Sequence, residues 1–289
     1  MAEGATVATS AAGAETIGIM DGAANTLDNA GVIRNPGTAA GDYVIRTDGA
    51  AALSITNTGA IEGSVLSQSA SGVTGTNASI TVSNAVGSAF GLGRAVDLGD
   101  DGSFTNAGVV SAGACGSIGA STLDASFTQV STGVMEVDFD IAGDMDFLTI
   151  GGVDLPSLAG SVDPEPQGTL PKSGDKGGNT FLRAEAAIGS YGVSVAHTGA
   201  VNYSLQESNG QTVALFYEVD FTPWAGNPVS QSKVSPATRA MITGNHTRFG
   251  LHLDELVDLR RRDLAAGRSD YPFVDNLVFF LLESPRSTI

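Results

Sequence analysis

Four aspartates crowd one short stretch: Asp138, Asp140, Asp144 and Asp146, set around Gly143. Carboxylates gathered about a glycine turn are the ligands a hard divalent cation such as Ca²⁺ takes. The spacing is neither that of an EF-hand loop nor that of the Gly-Gly-x-Gly-x-Asp nonapeptide. A plainer reading stands beside the metal site. From Met135 to Ile141 apolar and acidic residues alternate strictly, so Asp138 and Asp140 would line the wet side of a strand. Asp97, Asp100 and Asp101 pose the same choice between a cation site and a solvated turn. Apart from this Ca²⁺ candidate, no cofactor is implied.

Other reactive types are sparse. His197, His246 and His252 are scattered, with no His-x-x-x-His pair and no Gly-x-Ser-x-Gly elbow. Cys115 is the one cysteine, in a run of small residues, so no disulfide framework or cysteine zinc site arises within one chain. A carbohydrate-active enzyme would need clustered carboxylates with a basic residue beside them. The N-terminal part offers only Arg34, Arg46 and Arg94, and of these only Arg94 is close to an acidic group, the one beginning at Asp97. Convergence of Arg94 and two carboxylates in a groove would support an enzyme; scatter would oppose it.

The elements that must carry these residues show in a repeat. Leu27-Asp28-Asn29-Ala30-Gly31-Val32-Ile33 returns as Ile55-Thr56-Asn57-Thr58-Gly59-Ala60-Ile61 and as Phe104-Thr105-Asn106-Ala107-Gly108-Val109-Val110. A weaker copy runs Val82-Ser83-Asn84-Ala85-Val86-Gly87. Asn29, Asn57, Asn84 and Asn106 lie 28, 27 and 22 residues apart, a solenoid period. Gly takes positive φ freely and Asn tolerates it, so Asn-x-Gly is expected to turn a corner between two strands. The expected fold is all-β: a right-handed parallel β-helix whose coils stack about 4.8 Å apart. Matched apolar residues would fill the inside and matched asparagines would form a corner ladder. An antiparallel β-sandwich with Gly-rich turns is the alternative.

Composition agrees with an extended, soluble surface. The chain has 289 residues, 38 of them glycine, and a net charge of −17. Through Pro171 there are 19 acidic and 3 basic residues, which opposes binding to nucleic acid or anionic membranes. The N-terminus Met1-Ala2-Glu3-Gly4 lacks the features of a signal peptide. No apolar run reaches the roughly 18 residues of a membrane-spanning helix. Strands are expected at Ile17–Met20, Asp42–Arg46, Met135–Ile141, Phe147–Ile150, Phe181–Ile188, Val201–Leu205 and Thr212–Val219. Ser208-Asn209-Gly210 reads as the turn between the last two. From about Ser230 the pattern changes. Leu251, Leu253, Leu256, Val257 and Leu259 mark a helical stripe, and a second short helix is expected from Phe273 to Glu283. Two regions follow: a β-helix over 1–229 and a short α-helical C-terminal tail over 230–289.

This order of features resembles the passenger of a bacterial autotransporter, the type V secretion family. The Asn-x-Gly copies look like passenger coils. Met135 to Gly152 is similar to the family's late-coil pattern, most sharply in Asp146-Phe147-Leu148-Thr149-Ile150-Gly151-Gly152. Val201 to Leu215 looks like the last coil, and the helical tail sits where the family leads into its membrane barrel. The resemblance implies a non-enzymatic module on the surface of a Gram-negative bacterium, or released from it, serving adhesion or display. It also implies an extracellular ligand and an outer-membrane barrel as partners. The family begins with a signal peptide and ends in alternating barrel strands, whereas this chain ends at Ile289 after helix-like sequence.

Overall fold

A computed structural model describes residues 1–219, except 10–12, 21–23, 36, 38–40, 50–51, 69–78, 114–115, 142, 153, 169–173 and 197–200. Cys115, the three histidines, the 229/230 boundary and the whole expected helical tail lie outside the described residues.

The chain enters with β1 (Thr6–Ala8) and β2 (Glu15–Met20). It then repeats one plan. β3 (Asn25–Asn29), β4 (Val32–Arg34) and β5 (Tyr43–Asp48) lie on three successive faces. β6 (Leu53–Asn57) is followed by β7 (Ala60–Gln68), one long strand that serves two faces. β8 (Ile80–Asn84) and β9 (Ala89–Asp97) do the same. β10 (Ser103–Asn106), β11 (Val109–Ala112) and β12 (Ala120–Asp124) restore three separate strands. So do β13 (Ser126–Gln129), β14 (Val134–Asp140) and β15 (Phe147–Ile150). β16 (Ser157–Leu158), β17 (Ser161–Gln167) and β18 (Lys176–Ala184) follow, then β19 (Ser190–Tyr191) and β20 (Ser194–Val195). A hairpin of β21 (Val201–Ser208) and β22 (Thr212–Val219) ends the described chain.

All pairing along the stack is parallel, so the fold is a parallel β-solenoid and not an antiparallel sandwich. Face one is the seven-stranded sheet β3-β6-β8-β10-β13-β16-β19. Face two stacks β1, β4, the first half of β7, the first half of β9, β11, β14, β17 and β20. Face three stacks β2, β5, the second halves of β7 and β9, β12, β15 and β18. Residues before Asn25 form an incomplete coil, with β1 on β4 and β2 on β5.

The period-2 pattern explains the packing. On β6 and β8 inward and outward residues alternate buried and exposed without a break. Inside face one, Leu27, Ile55, Val82, Phe104 and Phe127 stack in register. Face two supplies Ile33, Ile61, Phe90, Val110, Met135 and Val162. The Phe104 ring meets Phe90 edge-on, with centroids 5.0 Å apart, which ties two faces together across the core. β7 turns between its two faces at Gly63, where φ is +136° and the pairing with β9 slips by two residues, from Gly63–Leu92 to Val65–Val96. The far end is closed differently. β18 pairs antiparallel with β22, and the hairpin places Tyr203 and Tyr217 against Phe139 at centroid distances of 6.1 and 5.0 Å. Asn209 and Gly210 both adopt positive φ at the hairpin tip, as the turn expected there requires.

Candidate functional site

The repeat corner is built from amides. Asn29 Nδ2 donates to Asn57 Oδ1, Asn57 Nδ2 to Asn84 Oδ1, and Asn84 Nδ2 to Asn106 Oδ1, each at 2.8 Å. Asn106 Nδ2 continues to Gln129 Oε1 at 3.2 Å. Each amide spends its second N–H on a carbonyl of the next coil: Ala60, Ala89, Val109 and Val134 in turn. The Oδ1 atoms of Asn29 and Asn57 also accept the N–H of Gly31 and Gly59. At the weaker copy the Ser88 hydroxyl takes that place on Asn84 Oδ1, at 2.8 Å. All five side chains are buried, so the ladder meets the rule that buried polar groups be paired. Its function is to lock coil to coil.

The glycines of this corner serve a different purpose from the expected one. Gly31, Gly59 and Gly108 do not adopt positive φ, and neither do the asparagines. A Cβ on Gly59 would sit 2.1 Å from the Gly31 carbonyl oxygen, and one on Gly108 would sit 2.3 Å from that of Ala85. Close stacking of one corner on the next, not backbone handedness, excludes every side chain here. Gln129, the fifth rung, escaped the sequence pattern because no Asn-x-Gly marks it. The signal was Phe127-Thr128-Gln129 echoing Phe104-Thr105-Asn106, with which it pairs in register.

The four-aspartate corner joins β14 to β15. Asp146 is buried at 2% exposure and both its oxygens are engaged. Oδ1 accepts the Gly119 N–H at 2.7 Å, and Oδ2 accepts the Asp138 N–H at 3.0 Å. Asp146 N–H returns a bond to the Asp138 carbonyl at 2.8 Å. Asp138 is fully buried, and its Oδ1 accepts from Gln167 Nε2 at 2.6 Å. Asp140 and Asp144 lie at the turn, half-buried and exposed, with Gly143 N–H on Asp140 Oδ1. Asp138 therefore does not line a wet face, although the alternation places it outward. Backbone N–H groups of Gly116 and Ser117, from the preceding coil, lie against it. Among the described residues, no three Asp, Glu, His or Cys side chains are placed to hold a metal ion.

Burial sets the electrostatics of this corner. It pushes Asp146 up to about 7; the Gly119 and Asp138 N–H groups oppose the rise, and the charges of Asp138 and Glu136 add to it. Burial likewise raises Asp138, against the lowering effect of Gln167. It raises Glu136, helped by Asp138 and Asp163, and raises Asp163.

A second acidic group lies where face three returns to face one. Asp97, Asp100, Asp101, Asp124 and Asp154 line a groove of about 660 Å³. Asp97 and Asp124 are register partners on β9 and β12. Burial raises the Asp97 pKa, the Gly99 N–H lowers it, and Asp124 and Asp100 raise it again. Asp124 and Asp154 were not singled out from the sequence, since only coil stacking brings them to Asp97. Arg94 is exposed and does not line the groove. Arg46 is committed to Glu15 and Asp48 at 3.4 and 3.6 Å. Among the described residues no helix is long and apolar enough to cross a membrane. No family model and no curated protein sequence matches the chain.

Proposed function

We propose that the chain is a non-enzymatic β-solenoid module that acts outside the cell or on its surface, displaying its faces and corners for binding. One observation carries this reading. The repeated amides are consumed by the ladder, and of the four-aspartate corner Asp146 is consumed by two backbone N–H groups while Asp138 accepts from Gln167. The resemblance to autotransporter passengers adds the export route. It makes the coils right-handed, as parallel crossovers nearly always are. It also makes an outer-membrane barrel the partner that follows the helical tail. Sequencing the DNA on both sides of the reading frame tests the route. A leader upstream and alternating barrel strands downstream are expected; an authentic start and stop bounding these 289 residues would sink it.

The acidic groove favours a second reading, a carbohydrate-active enzyme. Asp97, whose pKa burial raises, would be the acid and Asp124 the opposing carboxylate. Release of reducing ends from a polysaccharide panel, lost in Asp97→Asn with the fold intact, would replace the first reading with this one.

A further inference from the structure

The outward surface of face one is a net of hydroxyls. Thr26, Ser54, Thr81, Ser103 and Ser126 form one column in strict register. Two residues further along each strand, Thr56, Ser83, Thr105 and Thr128 form another, and Ser157 extends it. Each position is exposed or half-buried. None of these hydroxyls hydrogen-bonds to another described residue. The strands between Asn25 and Gln129 pair without a single register shift, whereas the other sheet slips at β5/β7, β7/β9 and β18/β22. The net repeats about every 4.8 Å across strands and about every 6.6 Å along them. The amide ladder at its edge holds the rungs level, the kind of device that keeps a sheet flat. Threonine's branched Cβ fixes its rotamer, so the hydroxyls there are largely ordered before anything binds.

Charge narrows the partner. The chain carries 19 acidic residues through Pro171, yet only one, Asp28, enters the net, at its N-terminal edge. A neutral, periodic array inside so acidic a protein suits an uncharged, periodic partner and offers nothing to an ionic one. No aromatic ring stands within the two hydroxyl columns to stack on a sugar: Phe104 and Phe127 of the same strands point inward and are buried, and the exposed Tyr191 lies at the far end of the sheet, beyond Ser157. We propose that face one binds ice: its hydroxyl net, spaced on the scale of the oxygen repeats of an ice surface, orders water into a lattice that merges with the crystal. This goes beyond the display reading and needs only the solenoid, whatever its export route.

The test uses the full chain. Thermal hysteresis, faceting of a single ice crystal and partition into a slowly growing ice front are measured for the native protein and two variants. Thr105→Tyr puts a bulky ring at the centre of the net; Thr122→Tyr puts the same ring on an exposed position of face three. Far-UV circular dichroism and thermal melting establish that all three fold alike. Hysteresis and faceting by the native protein, lost in Thr105→Tyr and kept in Thr122→Tyr, are the expected result. Absence of hysteresis in the folded native protein, or equal loss in both variants, overturns the proposal. So does binding to microcrystalline cellulose or chitin that Thr105→Tyr abolishes while hysteresis is absent, since the net would then read a polysaccharide surface.

Discussion

At the scale of single residues, the ladder and the buried carboxylates are opposite solutions to one problem. An amide has two donors and an acceptor, so a column of amides satisfies itself rung by rung, and only its ends need outside partners. A carboxylate has acceptors alone. Asn57→Asp would turn two donated bonds, to Asn84 Oδ1 and the Ala89 carbonyl, into facing acceptors in a fully buried place. The expected cost is about 3–5 kcal/mol, read as a lowered denaturant midpoint. Asp146 shows how the scaffold tolerates a real carboxylate: two N–H donors hold it, yet burial keeps its proton affinity high. A carboxyl whose folded pKa is raised stabilises the fold fully below its unfolded value near 3.8, and that contribution fades as pH rises to about 7. Asp97, Glu136, Asp138 and Asp163 shift in the same direction. The protein is therefore expected to melt higher at pH 5 than at pH 8. In Asp146→Asn this difference should shrink, and an unchanged pH slope would show that another group carries it.

At the scale of elements, alternation was readable and corners were not. Phe147–Ile150 and Thr212–Val219 appear with the ends the sequence suggested, because period 2 with β-branched and aromatic residues is a local property. The Asn-x-Gly corner was found for its recurrence and misjudged for its cause. Positive φ is a local requirement that sequence can suggest, but the Gly59 contact is with a carbonyl 28 residues away. Asp138 was misjudged for the same reason. Its strand alternates as a wet-faced strand should, yet the side chain is fully buried, with backbone of Gly116 and Ser117 from the preceding coil and Gln167 from the next against it. The hydroxyl net is the reverse case. Each Ser-x-Thr or Thr-x-Ser pair is unremarkable alone, and the net exists only once parallel register aligns the pairs. Face one thus needs both the alternation that turns hydroxyls outward and the amide corner that fixes their height.

For the whole molecule, stacking makes the chain nearly one-dimensional: each coil touches its two neighbours, and stability is a sum of coils and interfaces. The two ends break this symmetry. The C-terminal end is closed by the antiparallel hairpin with Tyr203 and Tyr217 on Phe139, while the N-terminal end is a partial coil. A solenoid of this kind should lose one whole coil from its middle and still fold. Removing residues 58–84 takes out β7 and β8, a stretch equal to the 27-residue separation of Asn57 and Asn84. Asn57 then leads into Ala85 and the corner before β9, and β6 comes to rest on β10 with Asn57 beneath Asn106. The hydrophobic columns stay matched, since Ile61 and Phe90 occupy equivalent positions on face two, as do Val65 and Val96 on face three. The shortened chain is expected to keep a β-rich spectrum and cooperative melting at a lower temperature. Removing residues 58–73 instead, 16 of the 27, leaves Asn57 and Asn84 only 11 residues apart, too few for a coil, so Asn84 can no longer sit above Asn57. That variant should resemble the unfolded chain in limited proteolysis. If both deletions fold equally well, the coil is not the unit of stability and the ladder does not set the register.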